Sequence, residues 1–315
     1  PFRSFPQAVE EYFLWDRHPV VVAGTHGKTT TSALMAWVLR EAGRDPSWLE
    51  GGVLRGQELS FHLGKGDHFV IEGDEYESAY FDKGSKFLHY RPRTALLTSV
   101  EFDHAEMFKD LEAVKQAFAA FLALVPEDGT LIYCADDPLA RSLAQACPAR
   151  RVDYGVKEKA VWVGRTRKAT PQGILFDVFR GNERFASYTS PLTGNHNLQN
   201  ILSVTAAGFH LGLMPEEIGK GLASFPGVKR RQEIRGVARG VTVVDDFAHH
   251  PTAVRGTIAA LAEQEISVTP EQLNSVRGAS KRQAVFNLIP DGHERQSRAD
   301  AAYAAFKKAL ARRYA

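Results

Sequence analysis

The chain has 315 residues, 44% apolar and 24% charged, with a formal net charge of +2. This is ordinary globular composition, long enough for two domains. It excludes a disulfide framework, since Cys134 and Cys147 stand alone and share no metal-ligand spacing, and no apolar run approaches the ~20 residues that span a bilayer. The near-neutral balance argues neither for nor against a nucleic-acid partner; none is expected, and the absence of a visible signal peptide leads to the expectation of a cytoplasmic protein. The chain starts at Pro1 without methionine, which suits a fragment of a longer protein.

In chain order, Pro19–Ala23 reads as a buried parallel strand. The turn Gly24-Thr25-His26-Gly27 follows, and Lys28-Thr29-Thr30 then opens a helical pattern that stops at Gly43. Strand, glycine turn and helix in this order build a phosphate cradle. The glycines let backbone N–H groups turn inward, the helix N-terminus adds partial positive charge and Lys28 adds a full one. The spacing is G-x-x-G-K-T, tighter than G-x-x-x-x-G-K-[ST], because Val22 stands where the longer motif has glycine.

Phe69–Ile71 is a second strand, followed by Glu72-Gly73-Asp74-Glu75. Thr94–Val100 is a third, followed by Glu101-Phe102-Asp103-His104. A helix over Leu111–Leu124 and a strand over Thr130–Cys134 continue the alternation. The pattern predicts an α/β fold with a doubly wound, mostly parallel sheet, whose ligands bind beyond the carboxyl ends of the strands. Three polar clusters stand at three such ends.

Residues 160–190 alternate as in an antiparallel meander, predicting a small antiparallel subsheet. Gly194-Asn195-His196-Asn197-Leu198-Gln199-Asn200 opens another helix. Val241–Val244 reads as a strand ending in Asp245-Asp246-Phe247-Ala248-His249-His250-Pro251.

Gly-Thr-His-Gly-Lys-Thr-Thr, Ile-Glu-Gly-Asp-Glu-Tyr-Glu, Glu-Phe-Asp-His, Gly-Asn-His-Asn-Leu-Gln-Asn and Asp-Asp-Phe-Ala-His-His-Pro-Thr occur in that order over residues 20 to 262. As an ordered set they resemble the Mur ligase superfamily, ATP-dependent amide-bond ligases of bacterial cell-wall synthesis. Within it, Phe81–Phe87 and Gly227–Glu233 look most like the branch that joins the tripeptide L-alanyl-γ-D-glutamyl-meso-diaminopimelate to UDP-N-acetylmuramate. The alternatives are the L-alanine-adding branch and, in a different class, an ATP-binding fragment without ligase activity. The Phe-Asp-Lys and His-His-Pro contexts argue against a folylpolyglutamate-type ligase.

The resemblance implies ATP and Mg²⁺ as cofactors, with Gly24, Thr25, His26, Gly27, Lys28, Thr29 and Thr30 around the phosphates. It implies catalytic roles for Lys28, Glu72 and His104, and Thr29, Glu72 and His104 as metal ligands. Glu72 could instead be a solvated loop acid, and His104 an oriented structural histidine, since Mg²⁺ prefers oxygen. Asp74 and Glu75 would contact substrate, or lie on the surface with Asp103. His196, Asn197 and Asn200 would meet adenine, against the alternative that Asn195 or Asn197 caps the helix. Arg231 would contact phosphate, or belong to a solvated basic turn. Asp245 or Asp246 would approach the ribose, and His249 and His250 the substrate cleft, unless His-His-Pro only starts a helix.

The expected organisation is an interdomain linker remnant over 1–18, a central ATP-binding domain over 19–240 and a truncated, Rossmann-like C-terminal part over 241–315. The family's UDP-binding first domain is expected to be missing. After Ala262 the resemblance fades, leaving one strand candidate, Ala284–Leu288, and a basic amphipathic helix carrying Tyr303, Phe306 and Leu310.

Overall fold

Val20, Val21 and Val22 form the middle of β1 (His18–Ala23), and all three are fully buried. An apolar run without alternation suits a strand covered on both faces. In the computed structural model of the chain, described over residues 2–103, 107–170, 172–238 and 241–263 with 296, 297, 300 and 304, this strand lies inside a large sheet. The chain divides into two units, Pro1–Lys229 and Arg230–Ala315.

The sheet of the first unit contains β1, β2 (Ser47–Leu49), β3 (Phe61–His62), β4 (His68–Gly73), β7 (Thr94–Leu97), β8 (Thr130–Cys134), β9 (Arg150–Gly155), β10 (Trp162–Thr170), β11 (Gly173–Arg180) and β12 (Glu183–Ser190). A separate two-stranded ribbon pairs β5 (Glu77–Ala79) with β6 (Asp82–Ser85). The order is β12-β11-β10-β9-β8-β7-β1-β4-β2-β3. Pairs from β2 through to β10 are parallel, while the edge pairs β2–β3, β10–β11 and β11–β12 are antiparallel. The 160–190 meander is thus no separate sheet. It extends the main one through the parallel β9–β10 pair.

Residue parity along the strands sorts the core into two layers. Val20, Val22, Val70 and Leu96 pack with α2 (Lys28–Glu41), α5 (Asn195–His210) and α6 (Pro215–Ser224). Val21, Ala23, Phe69, Ile71, Ala95 and Leu97 pack on the other face with α3 (Leu111–Leu122) and α4 (Pro138–Ala144). The N-terminal residues expected as linker are helical: α1 (Phe5–Val9) continues into a π-helical turn over Glu10–Leu14, and Val9 and Leu14 are buried in this second layer. β1 sits between β4 and β7, where the winding reverses, so the crevice beyond its carboxyl end is the topological switch point.

His18 Nε2 lies 2.8 Å from Thr94 Oγ1. Burial first, then the charges of His68 and Arg93, hold its imidazole down at about 4 against an ordinary 6.5. His210 is lowered to about 4 by burial, then by Arg150 and Arg180. Both native rings resist protonation that the unfolded chain accepts. Their contribution to stability is therefore present above pH 6.5 and is lost as pH falls towards 4. The melting temperature should fall across that window in scanning calorimetry, and His18→Gln with His210→Gln should flatten the slope. An unchanged slope in the double variant would contradict this.

In the second unit, β13 (Glu233–Ala238) pairs antiparallel with β14 (Val241–Asp245), and α7 (Pro251–Glu263) follows. The sequence reading put the boundary at 240/241. The contacts divide the chain at 229/230, because the hairpin keeps residues 233–238 with 241–245. The strand candidate Ala284–Leu288 and the helix positions Tyr303, Phe306 and Leu310 lie outside the described residues.

Candidate active site

The loop after β1 turns on two left-handed glycines, Gly24 at φ +135° and Gly27 at φ +82°. Each is also a point of close approach. A Cβ on Gly24 would lie 2.1 Å from Thr98 Oγ1, and one on Gly27 would lie 2.6 Å from Asn200 Oδ1. The first contact seats the loop on the segment after β7, and the second brings the opening turn of α5 against it.

That segment staples the loop. Thr25 N–H donates to Ser99 O at 2.8 Å, and Glu101 N–H donates to Thr25 Oγ1 at 2.9 Å. His26 N–H donates to Ser99 Oγ at 3.1 Å, and the His26 ring pairs with Glu101 Oε2 at 3.1 Å. Gly27 is the N-cap of α2 with no side-chain cap bond, so the first amides of the helix belong to the loop's own cradle.

Lys28 Nζ donates to Gly24 O at 2.7 Å and to Glu75 Oε2 at 2.8 Å. The lysine and the glutamate are 9% and 3% exposed, which makes this a buried ion pair held inside the loop after β1. Thr29 Oγ1 donates to Glu72 Oε1 at 2.9 Å, and Gly51 N–H donates to Glu72 Oε2 at 2.7 Å. Burial raises the Glu72 carboxyl above its ordinary range and the charge of Asp74 raises it further, against the opposing pull of Lys28, Gly51 and Thr29. Thr30 is buried in the first turn of α2.

Asn197 and Asn200 are buried and joined, Asn200 Nδ2 donating to Asn197 Oδ1 at 3.2 Å and Asn197 Nδ2 to Thr193 O at 2.8 Å. Gly194 is the N-cap of α5 and no side chain caps the helix, which sets aside the reading of Asn195 or Asn197 as its cap. Gln199, between the two asparagines, faces elsewhere and donates to Asp136 at 2.7 Å. His196 is half-buried on the same turn. Asp74 pairs with Lys86 at 3.2 Å. His104 lies outside the described residues.

The remaining candidates belong to the second unit. Asp245 accepts from Arg235 at 2.9 Å and lies 3.8 Å from Arg230. Asp246 accepts from the backbone N–H groups of Gln232 at 2.8 Å and Ala248 at 2.7 Å. The guanidinium of Arg231 lies over the Phe247 ring at 5.3 Å. His249 Nδ1 lies 3.1 Å from Phe247 O, and Thr252 N–H donates to His250 Nδ1 at 3.3 Å at the start of α7.

Two features of the first site escape sequence reasoning. The pairing of Lys28 with Glu75 joins residues 47 apart. Glu50, directly after the three-residue strand β2, is buried, and neither carboxylate oxygen is hydrogen-bonded among the described residues. Burial, then the charge of Glu72, pushes its carboxyl well above the usual carboxylate range. The only signal was the neighbouring Gly51-Gly52, which marks a close approach of backbone.

The family model described as "Mur ligase middle domain" matches residues 22–208, from β1 through α5. The chain belongs to the Mur ligase family. A UDP-N-acetylmuramate–L-alanyl-γ-D-glutamyl-meso-2,6-diaminoheptandioate ligase of Escherichia coli is 43% identical over 262 residues, covering 83% of this chain and 56% of the relative. A UDP-N-acetylmuramate–L-alanine ligase of Anaeromyxobacter is 36% identical over 247 residues, covering 78% and 52%. The solved murein peptide ligase of Psychrobacter arcticus superposes with a TM-score of 0.68 at 35% identity, covering 81% of this chain and 57% of that one. This Mur ligase chain therefore spans about half the length of the curated relatives it matches.

Proposed function

We propose that this chain carries the ATP-binding part of a tripeptide-adding Mur ligase, joining L-alanyl-γ-D-glutamyl-meso-diaminopimelate to UDP-N-acetylmuramate in the cytoplasm. The observation that carries the ATPase reading is the Gly24–Lys28 loop at the switch point, with Thr29 and Glu72 joined beside it. The choice of tripeptide over L-alanine is supported by 43% identity over 262 residues to the E. coli tripeptide ligase, against 36% over 247 and 40% over 245 residues to two L-alanine ligases.

In the proposed reaction the muramate carboxylate attacks the γ-phosphorus of ATP and ADP leaves, giving an acyl phosphate. The tripeptide amine then attacks the acyl carbon, and inorganic phosphate leaves with formation of the amide. The protein's task is to neutralise and align anions. The loop amides would cradle the phosphates, and Lys28 would exchange Glu75 for a phosphate oxygen. Asn197 and Asn200 offer amide groups suited to a base edge.

The Thr29 hydroxyl and the Glu72 carboxylate form an all-oxygen donor set for a hard cation. The fit is supported by the burial of Glu72 beside a second acid, Asp74, since a desolvated carboxylate gains from a counter-charge. Mg²⁺ bound there would neutralise phosphate charge during transfer. His104 keeps its proposed place as a further ligand, and Arg231, Asp245, Asp246, His249 and His250 theirs near nucleotide or substrate.

A coupled phosphate-release assay tests the reading. Phosphate should appear only when ATP, UDP-N-acetylmuramate and the tripeptide are all present. Turnover with L-alanine and none with the tripeptide would assign the alanine-adding branch. ATP binding without turnover would assign an ATP-binding fragment.

A further inference from the structure

We propose that Glu50 is a second carboxylate ligand of the divalent-cation site at Thr29 and Glu72, set beside Glu72 by the β2–β4 register and closed in by Gly51 and Gly52. The inference rests on the cation site proposed above and adds a residue that the motif set does not contain.

The placement follows from the parallel pairing of β2 and β4, in which Trp48 is registered with Val70 and Leu49 with Ile71. One further step sets Glu50 beside Glu72. Registered residues of a parallel pair share a face, and faces alternate along a strand. Trp48 and Val70 both lie in the layer beneath α2. Glu50 and Glu72, two residues on, return to that same face, where α2 begins with Lys28 and Thr29.

The next two residues tie the segment down. Gly51 N–H holds Glu72 Oε2 at 2.7 Å. A Cβ on Gly51 would lie 2.7 Å from that same oxygen, and a Cβ on Gly52 would lie 2.6 Å from Thr29 Cγ2. The backbone approaches both proposed ligands as closely as glycine allows.

The Glu50 residue is 5% exposed, and among the described residues no hydrogen-bond donor reaches either of its oxygens. Buried polar groups are overwhelmingly hydrogen-bonded, and a buried carboxylate needs a donor or a cation. The register sets another carboxylate, Glu72, beside it, and the Thr29 hydroxyl of α2 already donates to that carboxylate. A hard divalent ion satisfies all three oxygen groups at once, since it takes carboxylate and hydroxyl oxygens together.

The test uses the chain without nucleotide and Mn²⁺ alone as probe, with free Mn²⁺ followed by electron paramagnetic resonance. Glu50→Gln and Glu72→Gln should each weaken Mn²⁺ binding at least tenfold, and Glu50→Leu should do the same. Without metal, Glu50→Gln should melt no lower than the parent, which separates lost ligation from lost folding. Full Mn²⁺ affinity in Glu50→Gln with loss in Glu72→Gln would overturn the role of Glu50 and leave the cation site standing. Unchanged binding in both variants, or no Mn²⁺ uptake by the parent, would remove the site and this proposal with it.

Discussion

Lys28→Ala is expected to lower Mg-ATP affinity by on the order of 100-fold or more, close to abolition in a calorimetric titration. A lysine on phosphate makes charge-assisted hydrogen bonds, and losing ~2.7 kcal/mol of such contact is a hundredfold change. The same substitution acts on the fold, because Lys28 is the buried partner of Glu75. Removing one member of a buried pair leaves an uncompensated charge, at a cost of about 3–5 kcal/mol. Lost binding could then be read as lost structure, and Glu75→Gln combined with Lys28→Ala separates the two. The double variant should recover most of the melting temperature and none of the nucleotide affinity. Equal ATP affinity in the parent and the Lys28→Ala chain would sink the phosphate-loop assignment.

Gly24→Ala should destabilise the first unit by about 2–4 kcal/mol in chemical denaturation and lose nucleotide binding with it. Two independent reasons combine. At φ +135° a side chain is strained whatever the space around it, and the added methyl would meet Thr98 Oγ1 at 2.1 Å and the Ser99 backbone at 2.9 Å. Thr98 cannot step aside freely, since its hydroxyl also donates to the carbonyl of Ala23 at 3.3 Å. Thr98→Ala in the same chain should restore only a small part of the loss, because the Ser99 backbone and the backbone strain remain. Wild-type stability in Gly24→Ala would show that the loop does not need this backbone conformation.

Much of this molecule was legible in one dimension. The run from Val20 to Thr30 carries its own instructions: an apolar strand without alternation, glycines for left-handed turns, and a helix that starts at Lys28. The period-two pattern of residues 160–190 marks an antiparallel meander, and β10, β11 and β12 pair antiparallel in turn. Such features depend on neighbours a few residues apart, where backbone sterics and residue parity decide the outcome.

Other features depend on which distant segments meet, and no local pattern encodes that. Glu75 looked like one more acid in a cluster, but packing carries it to Lys28. Val241–Val244 reads as a strand, and what the local pattern does not give is its partner: it pairs antiparallel with Glu233–Ala238 as a hairpin. Strand β2 is three residues long, too short for a periodic signal, so no local pattern singles out Glu50, which packing buries. The sequence by itself determined the strand–glycine turn–helix at Val20–Thr30, the alternating α/β order and the family. Only the tertiary structure decided which charges are buried together, because burial and long-range register are properties of the packed sheet and not of any stretch of chain within it.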